Sequence, residues 1–372
     1  MTRAQLRLLF LAAALTSAGS AGVLAQPRDT RTVPAEARPV DPIAAARAKV
    51  EAYLAAQHVP GASVAVGRGG RILWSEGFGL AHLEHRVPAG PHTKFRIGSI
   101  SKTLTSIAVA RLWADGKLDL DAPVQRYAPT FPVKEHPITT RQLAGHLSGL
   151  PHYNSADLVN AVHYESVTAA LAKFRDRPLL FVPGERYAYS SFGWNLISVV
   201  VEGASGENFL DYMRTRVFEP FGMRDTQADE YDRIIEHRTG FYQVRPDGRV
   251  LNPPAVDNSD VWAGGGFLST AEDLVRFGHG VMTGSVVDAR TRDLLFTPMT
   301  TSKGQATGYG LGWRVKELDG RLAVGHGGSH IGATAEFLLL PAEDLAVVIL
   351  TNANNRGLEQ LVKAIAAMFV VP

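Results

Sequence analysis

Cysteine is absent from all 372 residues of this chain. That excludes disulfides, thiolate metal centres and a cysteine nucleophile, and leaves stability to packing alone. An excess of either charge is missing too: 38 Lys and Arg stand against 36 Asp and Glu, a formal +2. No basic footprint for nucleic acid follows from such a balance. Long apolar runs are lacking beyond the first 25 residues, and there Ser17, Gly19, Ser20 and Gly22 interrupt the run, which argues against a stable membrane span. What is present is 45% hydrophobic residues, enough for a large core in one sizeable domain or two intertwined ones.

The N-terminus has the layout of an export signal. Arg3 and Arg7 precede the small and apolar "LLFLAAALTSAGSAGVLA", and Val23-Leu24-Ala25 fits a small-residue cleavage site. The expectation is a cleaved signal over 1–25, a secreted or bacterial periplasmic location, and a mature charge of zero; an uncleaved N-terminal anchor is the rival reading. Residues 26–40, "QPRDTRTVPAEARPV", read as a flexible leader.

Ordered structure is expected from Asp41. An Asp cap, Pro42 at the first helical position and apolar residues at Ile43, Ala46, Val50 and Leu54 predict a helix. "ASVAVG" and "RILWSEGF", split by "RGG", predict a β-hairpin. A second helix is expected from Ser99, with Ile100, Leu104, Ile107, Ala108 and Leu112 on one face. Residues 117 to about 260 lack sustained strand signals, whereas "RLAVGH", "ATAEFLLL" and "DLAVVILTN" restore strands before an apolar helix at the C-terminus. Strands at both chain ends with helices outside predict an α/β (α+β) fold: an antiparallel sheet from about 41–116 and 261–372, with a mostly helical insertion over about 117–260.

The chemistry starts at "RIGSISKTLT". Ser99 and Lys102 are spaced i, i+3, on one helix face, beside the free N–H groups and positive dipole end of a helix start. A serine hydroxyl needs a base, and a desolvated lysine is neutral enough to act as one. Serine is also favoured at helix starts for capping alone, and S-x-x-K is a short motif. Its weight rests on partners. In "PGERYAYSSFGWNLISVVVEGASG", Tyr189 and Ser191 fall in a loop or strand leading into an apolar helix, and a tyrosine near a lysine can serve as phenolate or proton relay. In "VGHGGSHIGA", His326-Gly327-Gly328 fall at a strand end, where glycines let a substrate backbone lie close and a main-chain N–H just beyond could complete an oxyanion hole.

With Ser99-Ile100-Ser101-Lys102, Tyr189-Ser190-Ser191 and His326-Gly327-Gly328 in this order, the chain resembles the class C β-lactamase-like serine hydrolases of the serine β-lactamase and penicillin-binding-protein superfamily. "GKLDLDAPVQRYAP", "HLSGLPHY", "AGGGFLSTAEDLVRFG" and "YGLGWRV" extend the likeness over about residues 41 to 372. The resemblance implies an acylated nucleophile at Ser99 and a base or proton relay at Lys102. Tyr189 would shuttle protons and activate the deacylating water, and the amides of Ser99 and Ser329 would form the oxyanion hole. It implies no cofactor and no metal.

Two departures bear on substrate. Ser191 stands where asparagine is commoner, one hydroxyl in place of an amide with donor and acceptor. His326 stands where lysine is commoner, and an unperturbed imidazole is mostly neutral at pH 7. Weak attraction for a substrate carboxylate, and slow β-lactam turnover relative to simple esters or peptides, are expected. His82 and His85 have a metal-like gap but no evident third ligand, so a solvated turn is expected there. Ser329 beside His330 lacks the glycine a nucleophile elbow needs, and Thr270 before Glu272 and Asp273 reads as a helix cap. The function expected is an exported serine hydrolase acting on a small-molecule or peptide ester or amide. The alternative is a non-catalytic or assembly-forming member of the same fold; the sequence carries no signal for an oligomeric state.

Overall fold

The computed structural model describes residues 41–154, 157 and 159–370. The expected signal and leader fall outside the described residues. Helix α1, Pro42–Ala56, begins as the sequence predicts, with Asp41 Oδ1 accepting from the Ile43 amide at 3.0 Å and Pro42 in the first turn, where its missing N–H costs nothing. The chain then forms β1, Gly61–Arg68, and β2, Arg71–His82, joined by Gly69 and Gly70 at φ +57° and +73°, the left-handed pair that a tight hairpin requires.

Short β3, Val87–Pro88, lies outside β2, and the rest of the sheet comes from the far end of the chain: β4 (Arg314–Leu318), β5 (Arg321–His330), β6 (Ala333–Leu340) and β7 (Leu345–Thr351). The order is β3-β2-β1-β7-β6-β5-β4, and the pairings are antiparallel, so first and last strands meet in the middle with Val64 opposite Ile349. Both faces of that centre are covered. Val64, Val66, Val347 and Ile349 pack under α1 and the C-terminal helix α5, Leu358–Phe369, while Ala65, Val348 and Leu350 face the helical region. Alternation along each strand therefore divides two cores, and each buried Val or Ile contributes about 1.5–3 kcal/mol. This is the expected α/β architecture.

Three helices of the interior position the site: α2 (Ser101–Ala114), α3 (Ser191–Ser205) and α4 (Ala271–Met282). Helix α2 is buried almost all round, not on the single face its apolar spacing suggested. Several of its remaining positions are small hydroxyls with partners at hand: Thr103 Oγ1 donates to Ile100 O at 2.8 Å and Ser106 Oγ to Thr103 O at 2.7 Å, while Thr105 Oγ1 donates across to Ala263 O at 3.1 Å. The segment expected to lack strands holds three of two residues each, Gln227–Ala228, Gln243–Val244 and Val250–Leu251. Among the described residues, no helix is long and apolar enough to cross a membrane.

Candidate active site

Ser99 sits in a 3₁₀ turn, Gly98–Ile100, that leads into α2, and the turn carries no side-chain cap. Its Oγ is engaged instead by Lys102 Nζ at 3.1 Å, so capping does not account for this serine. The turn is pressed against the end of β5. A Cβ on Gly98, at φ +49°, would stand 2.7 Å from Ser329 N, and one on Gly328 would stand 1.9 Å from Ile97 O. Only glycine permits that approach, which brings the amides of Ser99 and Ser329 to one spot. The Ser99 amide lies in a first helical turn, where N–H groups have no intrahelical acceptor.

Lys102 is fully buried. Nζ lies 3.1 Å from Ser99 Oγ, 3.1 Å from Ser191 Oγ and 2.6 Å from the Gly264 carbonyl, and no carboxylate among the described residues forms an ion pair with it. Burial, reinforced by the positive charge of Arg314, pushes its pKa well below the ordinary 10.5. A neutral amine has two N–H groups and one lone pair. Gly264 O must take one N–H, Ser191 Oγ can take the other, and the lone pair then faces the Ser99 hydroxyl.

Tyr189 and Ser191 come from the start of α3, whose cap is Ser190: its Oγ accepts from the Gly193 amide at 3.1 Å. The Lys102 ammonium position lies 5.0 Å from the centre of the Tyr189 ring. Burial holds the phenol up at about 12, although the nearby Ser99 and Ser191 hydroxyls oppose that rise, and its Oη makes no hydrogen bond to any described residue within ordinary geometry. At rest Tyr189 is thus a neutral phenol.

The third motif divides. Gly327, Gly328 and Ser329 line a cavity of about 540 Å³ that opens over Ser99, together with Tyr189 and Ser191. His326 does not line it. Its imidazole is 2% exposed, held between Tyr309 Oη at 2.8 Å and the Gly327 carbonyl at 2.6 Å, and burial next to Arg314 keeps it neutral. A strand side chain that turns into the protein cannot meet a substrate carboxylate, so the expected contact from His326 is corrected. The cation in the cavity is Arg314, at the start of β4, near Glu336, whose carboxyl burial raises to about 7. His152 also lines the cavity and accepts the Ser191 amide at 3.2 Å. Sequence reasoning quoted the stretches holding both, "HLSGLPHY" and "YGLGWRV", without singling out either residue.

Other expectations resolve outside the cavity. Thr270 caps α4, accepting from the Asp273 amide at 3.2 Å. The turn after β2 does bring a third donor to His82 and His85: Glu84, with ligand atoms within 4.8 Å of one another. The ligand-count objection fails there, but that exposed turn does not line the Ser99 cavity.

The family description Beta-lactamase matches residues 46–370. The human mitochondrial serine beta-lactamase-like protein LACTB is 32% identical, over 83% of this chain and 76% of its own length. Penicillin-binding protein 4* of Bacillus subtilis is 27% identical, over 81% of this chain and 70% of its own. Among solved structures, the octameric penicillin-binding protein homologue from Pyrococcus abyssi superposes with a TM-score of 0.78 at 25% identity, covering 88% of this chain and 77% of that one. The mitochondrial relative overturns the expected bacterial secretion. The physical reason is that the acid-free, Arg- and Ser-bearing apolar stretch over residues 1–25 fits an organelle-targeting segment as well as an export signal.

Proposed function

The chain belongs to the Beta-lactamase family of serine hydrolases, and on that premise we propose that it cleaves an ester or amide through an acyl-enzyme on Ser99. The observation that carries this reading is Lys102: a fully buried lysine with its Nζ 3.1 Å from the serine oxygen and no acid among the described residues to hold its proton. Lys102 takes the Ser99 proton as Oγ attacks the carbonyl carbon. The developing oxyanion is met by the amides of Ser99 and Ser329. The leaving group departs with a proton relayed through Tyr189, and water then attacks the acyl-enzyme with Lys102 and Tyr189 removing its proton.

The cavity supports a small-molecule or peptide substrate, with Arg314 as the partner for an acidic group and peptidase or esterase chemistry favoured over β-lactam turnover. Ser191 offers one hydroxyl, already used by Lys102, to the substrate amide. The octameric Pyrococcus homologue favours self-association as a separate property of this chain, measured by mass photometry whether or not Ser99 reacts. Labelling with a fluorophosphonate or a labelled penicillin, followed by mass spectrometry, tests the enzyme: an adduct on Ser99, lost in Ser99→Ala, is the expected result. Folded protein that takes no label at Ser99 would overturn it.

A further inference from the structure

Tyr189 presents a problem of position. Its hydroxyl lies near those of Ser99 and Ser191 but makes no hydrogen bond of ordinary geometry to any described residue, so contacts at the reactive end do not by themselves fix where the phenol sits. Its seat has to be set from the ring faces and from the backbone on either side. Both of those lead to one residue, His146.

His146 is fully buried just beyond the helix Thr140–Ala144, with a left-handed backbone at φ +61°. Its carbonyl accepts from the Ala188 amide at 2.9 Å, and its Nδ1 accepts from the Ser190 amide at 3.1 Å. The residues immediately before and after Tyr189 are therefore tied to the same histidine. Its ring centre lies 4.2 Å from that of Tyr189, nearer than His152 at 5.3 Å or His326 at 6.2 Å. Because Nδ1 is an acceptor, the neutral ring carries its proton on Nε2, and Nε2 has no partner among the described residues. A left-handed backbone and an unanswered N–H in one buried residue are costs that packing alone does not ask for.

We propose that His146 is the positioning residue that seats Tyr189 against the Ser99–Lys102 pair, clamping the peptide on both sides of the tyrosine and packing its own ring, tilted by 38°, against the phenol ring. The inference rests on the hydrolase reading of Ser99. It acts through Tyr189 and makes no contact with substrate.

The test uses the full chain, a p-nitrophenyl ester and a fluorophosphonate probe, with thermal melting as the folding control. His146→Ala should lower kcat by roughly 10- to 100-fold, the cost of a misplaced catalytic group, with KM little changed. His146→Asn keeps an acceptor at the place of Nδ1 and tolerates a positive φ, and should return close to the wild-type rate. His146→Gln carries its acceptor one carbon too far and should stay slow, which keeps the comparison open if the alanine variant does not fold. In a Tyr189→Phe background, His146→Ala should cause no further loss, because the side chain it positions has lost its hydroxyl. An asparagine variant as slow as glutamine, or a full additional loss in the phenylalanine background, would overturn the positioning role. Wild-type labelling at Ser99 with an unchanged rate in His146→Ala would sink this inference alone; no adduct on wild-type Ser99 would sink the hydrolase reading and this inference together.

Discussion

Two lysines sit beside the same cavity in opposite company. Lys102, bonded to the lining residues Ser99, Ser191 and Gly264, is fully buried and meets two hydroxyls and a carbonyl. Lys173 is nearly as deep, with 12% of its side chain exposed, but it closes on Asp260, which lines the cavity and is 2% exposed. The polypeptide thus supplies a carboxylate to one lysine and withholds it from the other. With the acid, a buried lysine is a structural tie; without it, desolvation makes the amine a base. The contrast ties the reading of Ser99 to something beyond the motif that contains it.

The largest expected effect removes the unpaired member. Lys102→Met should lower the rate of Ser99 acylation by about 10⁴-fold, the upper end for loss of a general base. Stopped-flow acylation with a p-nitrophenyl ester reads this directly, and a loss below tenfold would mean that another group takes the Ser99 proton.

Removing the paired member should act on the fold instead. Lys173→Met leaves the Asp260 carboxylate buried with Asn160 Nδ2 at 3.3 Å as its remaining side-chain partner, and should destabilise by about 3–5 kcal/mol. Burial already raises the Asp260 pKa above its ordinary 3.8, and loss of Lys173 raises it further. The folded variant then holds a proton that the unfolded chain has released, so its deficit should grow as pH rises above the ordinary aspartate range and shrink in acid. Urea titrations at pH 4.5 and 7.5 that gave equal deficits would contradict this account.

How much of this was legible in the sequence depends on the distance over which a residue finds its partner. Asp41 and Pro42, the glycine pair at 69 and 70, and Thr270 act within three residues, and local propensity sufficed to place them. Ser99 and Lys102 also belong to one turn. Lys102 and Gly264 are 162 positions apart, and Lys173 and Asp260 are 87 apart; no local pattern marks either contact. The same limit explains His326. Its place in the third motif suggested a substrate contact, but the direction of its side chain is set by Tyr309 and by the packing of β5, which the motif does not encode. Helix α2 reads as one-sided because its Ser and Thr positions count as polar by pattern, while in the fold Thr103 and Ser106 bond to carbonyls three residues back and Thr105 bonds to Ala263, 158 positions away.

Supplying Lys102 with the acid that Lys173 enjoys should erase the contrast without deleting the amine. In Ser191→Asp a carboxylate would replace a hydroxyl 3.1 Å from Nζ. Wild-type kcat/KM should rise with pH as Lys102 loses its proton, along a limb shifted down from the ordinary lysine range by burial. In Ser191→Asp that limb should move up by about 1–3 pH units, the usual effect of an adjacent opposite charge. An unmoved limb would show that the titrating base is not Lys102.

The smallest effect has the most diagnostic sign. A desolvated lysine opposes folding, because the unfolded chain keeps its proton up to the ordinary 10.5 while the folded protein gives it up at lower pH. Between those two values unfolding takes up a proton, so this site's contribution to stability rises with pH. Lys102→Met removes that opposition but orphans the Gly264 carbonyl, a cost of roughly 1–3 kcal/mol that cancels part of the gain. The net gain at pH 7 should be near 1 kcal/mol, within the range usual when a functional residue is traded for stability. Lys173→Met, which leaves the Asp260 carboxylate buried without its cation, should lose stability under the same conditions. As pH approaches 10.5 the advantage of Lys102→Met over wild type should fade, since the unfolded lysine is then losing its proton as well. Calorimetry of both proteins at pH 7 and pH 10 reads the difference, and an advantage that stayed the same at both pH values would mean that Lys102 is buried as a cation.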